Sequence, residues 1–122
     1  MASQKILLVE DNAVNRRLAG FLLRSQGYEV REAATAQEAF EMLKTERPDL
    51  IVMDIQLPGK DGLEITKELK GQSETADIPV IAVTSYAMKG DREKALAAGC
   101  SGYVTKPIDK TIFLAEIGRH LK

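Results

Sequence analysis

The feature of this sequence that most constrains its fold is a regular alternation between short apolar runs and segments with helical spacing. Along the 122 residues, five apolar or mixed runs are each followed by a segment whose apolar residues lie three or four positions apart. Strands that alternate with helices form a parallel sheet with right-handed crossovers and helices on both faces. The sequence therefore predicts one α/β domain over residues 1–122, with strands near residues 5–9, 28–33, 50–53, 79–83 and 102–105.

Composition and charge narrow the possible functions. The formal net charge of −1 gives no support to a general nucleic-acid binder, because affinity for phosphate backbones needs clustered Lys and Arg. No stretch approaches the roughly 18 apolar residues of a membrane span, and residues 1–5 lead into a strand rather than into a signal peptide. We therefore expect a cytoplasmic protein that binds neither nucleic acid nor membrane. Cys100, the single cysteine, is expected to be a buried structural thiol.

The first helix is predicted from apolar residues at helical spacing. Val14, Leu18, Phe21 and Leu22 share one face, and Gly27 lies where a left-handed residue would end the helix. Three arginines between these apolar positions are expected to be solvated, although the same surface could help to dock a kinase: Arg16, Arg17 and Arg24.

The later helices carry similar signals. Thr35 and Glu38 have the spacing of a capping box and begin the second helix. A fourth helix is predicted within residues 86–98, where Gly90 in its first half lowers helix propensity by about 1 kcal/mol relative to Ala. The last helix has an apolar stripe of Phe113, Leu114, Ile117 and Leu121.

Polar residues lie where four of the predicted strands end. The buried third strand ends on Asp54, the first strand is followed by Glu10 and Asp11, the fourth by Thr84 and the fifth by Lys106. Ligands bind beyond the carboxyl ends of the strands in open α/β sheets. If the strands are parallel and adjacent, these three acids, one hydroxyl and one ammonium share a pocket.

This set of side chains favours metal-assisted phosphoryl chemistry. Carboxylates about 5 Å apart repel each other by roughly 3 kcal/mol per pair at an effective dielectric constant of about 20, so three of them need a cation or raised pKa values. Mg²⁺ prefers oxygen ligands and typically binds one or two carboxylates together with phosphoryl oxygens. Asp54 could then act as a nucleophile and form an aspartyl phosphate, while Lys106 and Thr84 contact the phosphoryl oxygens.

The segments around these residues resemble the receiver domain of two-component response regulators over essentially the whole chain. The likeness is greatest to DivK-type single-domain regulators and to receiver modules of hybrid kinases. It implies a flavodoxin-like (βα)5 fold with a five-stranded parallel sheet in the order 2-1-3-4-5. The segments that carry the resemblance are LLVEDN, IVMDIQLPGKDG, AVTSYA and YVTKP.

The resemblance implies that Asp54 is the phosphoacceptor and that Mg²⁺, or Mn²⁺, binds beside it. Asp54 and Asp11 would bind the metal directly, Glu10 through a water molecule, and Gln56 through its backbone carbonyl. Gln56 and Tyr86, each two residues after a site residue, would flank the path of attacking water and tune the lifetime of the phosphoryl group.

The resemblance also implies a switch. Thr84 and Lys106 would bind the phosphoryl group, and Tyr103 would be the aromatic residue that turns inward. The bond between Lys106 and Pro107 would be cis, and Gly62 would allow a close approach in the turn after the acceptor. The partners would be a histidine kinase or histidine phosphotransfer protein and a downstream protein that binds the fourth helix, fifth strand and fifth helix.

We expect a signalling switch that assists its own phosphorylation and dephosphorylation rather than a turnover enzyme. A flavin-binding electron carrier could share the fold, but Glu10 and Asp11 would repel its phosphate. An aspartyl phosphatase usually has a second Asp at the position of Gln56. A receiver-like binding module that works without phosphorylation stays open, as does the choice between a stand-alone regulator and a module of a longer protein.

Overall fold

The computed structural model describes residues 4–57, 60–84 and 90–121. Apolar runs form the strands and amphipathic segments form the helices, as the alternation predicts. In chain order the elements are β1 (Lys5–Val9), α1 (Ala13–Ser25), β2 (Glu29–Ala33), α2 (Ala36–Thr45), β3 (Leu50–Asp54), β4 (Gln56–Leu57), β5 (Lys60–Asp61), α3 (Gly62–Lys70), β6 (Val80–Thr84), α4 (Asp91–Ala98), β7 (Gly102–Thr105) and α5 (Lys110–His120).

Five strands form one parallel sheet in the order β2-β1-β3-β6-β7. Counted without the short antiparallel pair of β4 and β5, this is the predicted order 2-1-3-4-5, which is confirmed. Every residue of the central strands β3 and β6 is buried. Such strands lie between two helical layers, which explains why their sequences are nearly continuous apolar runs.

The sheet divides the hydrophobic core into two clusters. Alternate strand residues face opposite layers, so that Leu7 and Val9 join one cluster while Ile6 and Leu8 join the other. Buried residues of α2, α3 and α4 pack in the first cluster, and those of α1 and α5 pack in the second. Cys100 is buried in the first cluster, and this prediction is confirmed.

The predicted first helix forms as α1, and Gly27 follows it with a φ of 88°. Of the four apolar residues that share one face, however, only Leu22 is buried, whereas Val14, Leu18 and Phe21 are 74%, 44% and 69% exposed. The helix turns a neighbouring face to the sheet, where small side chains permit close packing. The residues buried there are Ala19, Gly20, Leu22 and Leu23.

The other helical predictions have mixed outcomes. The capping box is confirmed, since the Glu38 N–H donates to Thr35 Oγ1 at 3.1 Å. Phe113 and Ile117 of α5 and Leu121 directly after it are buried, as the apolar stripe predicts. Gly90 does not lie inside a helix, because it is the N-cap of α4 and has a φ of 97°. Among the described residues, no helix is long and apolar enough to span a membrane.

Candidate functional site

The sequence-predicted acids and lysine meet at the carboxyl edge of the sheet. Val9 pairs with Met53, so Glu10 and Asp54 follow side by side, and Asp54 pairs in turn with Val83. The Lys106 N–H donates to the carbonyl oxygen of Thr84 at 2.7 Å, which extends the pairing of β6 and β7 beyond their last residues. Strand register therefore brings residues that are far apart in sequence into one pocket.

Lys106 joins two buried carboxylates. Its Nζ lies 2.9 Å from Glu10 Oε1 and 3.3 Å from Asp54 Oδ2. Glu10 is only 4% exposed and Asp54 only 2%. An unpaired charge at such depth would be strongly destabilising, so the ammonium group compensates charges that the fold withdraws from water.

Glu10, Asp11 and Asp54 form a cluster that fits a hard divalent cation. Each offers one carboxylate oxygen, and the three oxygens lie within 4.8 Å of one another. Asp11 is exposed while the other two acids are buried, so the cluster is open to solvent on the side of Asp11. An all-oxygen donor set with an open side suits Mg²⁺, which keeps several waters and binds few carboxylates.

The carboxylates in the pocket repel each other, and a bound cation would reduce this repulsion. The pKa of Glu10 is raised from its usual 4.5 to about 7, chiefly by burial and further by the hydrogen bond and charge of Asp54. The contacts of Glu10 with Lys106 and with the Asn12 N–H lower this pKa and offset part of the rise. Burial by itself lowers the pKa of Lys106, but the bonds and charges of Glu10 and Asp54 outweigh it, and the net pKa is raised. Near neutral pH the lysine is charged and Glu10 is partly protonated.

The loop that carries Glu10 and Asp11 is shaped by the start of α1. Asn12 is the N-cap, and its Oδ1 accepts the N–H of Asn15 at 2.9 Å. The Asn12 N–H donates in turn to Glu10 Oε2 at 3.2 Å. Sequence reasoning did not assign a role to Asn12, although an Asn directly before a helix is a strong N-cap signal.

Gly62 begins α3 directly against the acceptor strand. Its N–H donates to the carbonyl oxygen of Ile55 at 2.8 Å. A Cβ at this position would overlap the carbonyl oxygen of Asp54 and lie 2.7 Å from the Ile55 Cα. Since these neighbours are backbone atoms, only glycine permits this approach, in line with the turn implied by the resemblance.

Two further residues of the predicted site lie on the neighbouring strands β6 and β7. Thr84 is 1% exposed at the end of β6, and Tyr103 on β7 is half-buried against the core cluster of α2, α3 and α4. The peptide bond between Lys106 and Pro107 is cis. The backbone of Gln56 lies in β4, whereas its side chain and all of Tyr86 lie outside the described residues.

Comparison with known proteins identifies relatives that agree with the resemblance seen in the sequence. A family model described as response regulator receiver domain matches residues 6–117. The polar-differentiation response regulator DivK of Brucella anthropi is 45% identical over 97% of this chain and 96% of its own length. The DivK-type likeness predicted from the sequence is therefore confirmed.

Solved structures agree with this result. The receiver domain of the sensor histidine kinase PA1611 from Pseudomonas aeruginosa, which has a magnesium ion coordinated in its active-site cleft, is 40% identical with a TM-score of 0.87, and 97% of each chain is covered. The chemotaxis protein CheY4 of Vibrio cholerae is 29% identical with a TM-score of 0.92, over 98% of this chain and 100% of its own. These neighbours confirm the predicted flavodoxin-like fold class.

Proposed function

Because this chain belongs to the response regulator receiver domain family of two-component signalling, we propose that it is a switch controlled by phosphorylation of Asp54. Receiver domains are signalling switches rather than turnover enzymes. We take residues 1–122 as one receiver domain whose phosphodonor is a histidine kinase or a histidine phosphotransfer protein. The observation that carries the proposal is the contact of Lys106 with Asp54 at 3.3 Å inside a cluster of three acids. A cytoplasmic location follows from the proposal, because kinases make phosphohistidine from ATP.

In the transfer step, a carboxylate oxygen of Asp54 attacks the phosphorus of the phosphohistidine. A P–O bond forms, the P–N bond breaks, and the imidazole leaves with the electron pair. Bound Mg²⁺, held by Glu10, Asp11, Asp54 and the Gln56 carbonyl, would supply positive charge for the phosphoryl oxygens. The Lys106 ammonium, already beside Asp54, offsets the charge that builds up on those oxygens. The chain thus assists its own phosphorylation.

Phosphorylation would add about −1.5 to −2 charges to the pocket. Lys106 would exchange its contact with Glu10 for the phosphoryl group, the Thr84 hydroxyl would donate to it, and Tyr103 would turn inward. These movements would remodel the surface of α4, β7 and α5, where a downstream protein binds. A swing from 1:99 to 99:1 between two states needs about 5.5 kcal/mol of preference for one of them. Gln56 and Tyr86 would tune the lifetime of the phosphoryl group.

The acceptor is tested by incubating the protein with Mg²⁺ and a small acyl phosphate and measuring its intact mass. The wild type should gain the mass of one phosphoryl group, and Asp54→Asn should gain none. Asp49→Asn is a matched control, because Asp49 is an exposed acid at the opposite end of β3 whose Oδ2 accepts the Lys5 N–H. Equal labelling of Asp54→Asn and the wild type would refute the acceptor, and a wild type that is never labelled would favour a binding module that works without phosphorylation.

We further propose that the phosphodonor docks on the exposed apolar side chains of α1. Leu18 lines a groove together with Asn15, Lys106, Pro107 and Ile108. The groove joins the apolar surface of α1 to the lysine that contacts Asp54. A donor protein must cover the pocket from outside while its phosphohistidine reaches the acceptor, and contiguous exposed apolar side chains are typical of protein-binding sites.

Leu18 and Leu96 form a matched pair for testing this surface. They are 44% and 45% exposed, on α1 and α4, which pack on opposite faces of the sheet. Leu18→Ser should slow phosphotransfer from a phosphorylated histidine phosphotransfer protein by about tenfold, as expected for the loss of about 1.4 kcal/mol of binding. Leu96→Ser should leave this rate unchanged, and neither variant should alter labelling by the small acyl phosphate. Equal rates for the two variants with the protein donor would exclude α1 as the docking surface.

A further inference from the structure

Arg16 connects three parts of the molecule and is not the solvated side chain that the sequence suggests. It lies in the first turns of α1, and its side chain is 22% exposed. Its Nη1 donates to the backbone carbonyl oxygen of Glu10 at 2.9 Å and to that of Asp11 at 3.4 Å. Its Nε lies 3.3 Å from Glu32 Oε1 on β2. One guanidinium group therefore links the loop of the two acids to the edge strand.

Glu32 fixes the position of this guanidinium. While one of its oxygens faces Arg16, the other lies 2.9 Å from Arg24 Nη2. Gly20 leaves the space for these side chains, because a Cβ there would lie 3.1 Å from Arg24 Nη1 and 3.2 Å from Glu32 Oε2. Charge-assisted bonds from both arginines restrict the carboxylate, and the planar fork of Arg16 carries that restriction to the loop.

The loop bonds of Arg16 act on the backbone of two acids of the candidate metal cluster. With the carbonyls of Glu10 and Asp11 held by the guanidinium, the peptide units between β1 and α1 have little freedom to rotate. The side chains of the same residues bring their oxygens within 4.8 Å of one another and of Asp54. A cation that meets carboxylates already in place does not have to order them on binding.

We propose that Arg16, held by Glu32, is a positioning residue that prepares the carboxylates of Glu10 and Asp11 to bind Mg²⁺. The inference rests on the proposed function, because it takes the acidic cluster as the metal site. The loop bonds of Arg16 would favour Mg²⁺ binding, whereas its positive charge opposes it. A cation beside the cluster repels Mg²⁺, so losing the charge alone would strengthen metal binding, whereas losing the loop bonds would weaken it.

The test is calorimetric titration of the protein with Mg²⁺ alone. Arg16→Gln should bind about tenfold more weakly than the wild type, the size of effect typical for residues that orient metal ligands. Arg16→Lys keeps the charge but lacks the planar guanidinium group that bonds the loop, so it should also bind Mg²⁺ more weakly than the wild type. Arg24→Gln is the matched control, because it removes an arginine from the same Glu32 without touching the acidic loop. Arg16 and its loop bonds remain in that variant, so its affinity should fall by much less than that of Arg16→Gln.

A second readout needs no metal. Hydrogen exchange at the Asn12 amide, which donates to Glu10 Oε2, should quicken in metal-free Arg16→Gln and Arg16→Lys and much less in Arg24→Gln. Unchanged or tighter Mg²⁺ binding by both Arg16 variants would overturn the inference while leaving the proposed function intact. A wild type that binds no Mg²⁺ would overturn the metal site itself, and the inference with it.

Discussion

Helices α1 and α5 pack on the same face of the sheet, yet they place their phenylalanines differently. In α5, Phe113 and Ile117 are fully buried in the core. In α1, Phe21 and Val14 are mostly exposed, while Leu22 and Leu23 are buried together with the small residues Ala19 and Gly20. The comparison indicates that the phenylalanine of α5 stabilises the fold, whereas that of α1 lies outside the core.

The largest expected effect is a difference between two phenylalanine truncations. Phe113→Ala should lower the free energy of unfolding by about 3–5 kcal/mol, because it empties a fully buried site. Phe21→Ala should change it by no more than about 0.5 kcal/mol, as is usual for exposed positions. Urea denaturation of both variants measures the difference. Similar losses in the two variants would contradict the different roles of the two phenylalanines.

The two helices also show what sequence periodicity can and cannot predict about the buried face of a helix. Apolar spacing identifies which residues share a face, and for α5 that face is the buried one. For α1 the same spacing groups Val14, Leu18 and Phe21 correctly but does not say which face the sheet covers. The covered face also includes Ala19 and Gly20, whose small size gives little hydrophobic signal.

The loops that precede the two helices differ in charge but not in construction. Each strand is followed by a side-chain N-cap, with Asn12 accepting from the Asn15 N–H at 2.9 Å and Asp109 from the Ile112 N–H at 3.1 Å. The loop before α1 carries the acids, and the loop before α5 carries Lys106. The pKa of Glu10 is raised to about 7 and that of Lys106 is also raised, so Glu10 changes charge near pH 7 while Lys106 stays charged.

This difference predicts pH-dependent metal binding. Mg²⁺ needs the ionised carboxylate, so a Glu10 proton with a pKa of about 7 should make the affinity rise about tenfold between about pH 6 and pH 8. The raised pKa has the opposite effect on the metal-free fold, which should lose stability as the pH rises from 4.5 to about 7. Calorimetric titrations with Mg²⁺ across this range measure the first effect, and urea denaturation without metal measures the second.

Glu10→Gln provides the control for the pH prediction. The amide has no proton to lose in this range, so both pH dependences should become much smaller in the variant. A pH dependence in Glu10→Gln that equals that of the wild type would assign the titration to another group.

The candidate site was predictable where it depends on strand ends and not where it depends on cross-strand contacts. Asp54, Glu10 and Lys106 follow parallel strands, and that alone brings them together. The role of Arg16 had no local signal, because its partners are backbone carbonyls and Glu32 on another strand. The proton on Glu10 depends on burial beside Asp54, which the order of residues does not reveal.

The smallest expected effect again compares the two helices, through one glycine in each. Gly118 in α5 has open space around its Cβ direction, so Gly118→Ala should raise the free energy of unfolding by about 0.5–1 kcal/mol. A Cβ on Gly20 in α1 would lie 3.1 Å from Arg24 Nη1 and 3.2 Å from Glu32 Oε2. Gly20→Ala should therefore raise the free energy of unfolding by less, because the ion pair must shift to admit the methyl group. Urea denaturation measures both changes. If Gly20→Ala gained as much as Gly118→Ala, the ion pair would yield without cost, and Glu32 could not hold Arg16 as firmly as its position against the acidic loop requires.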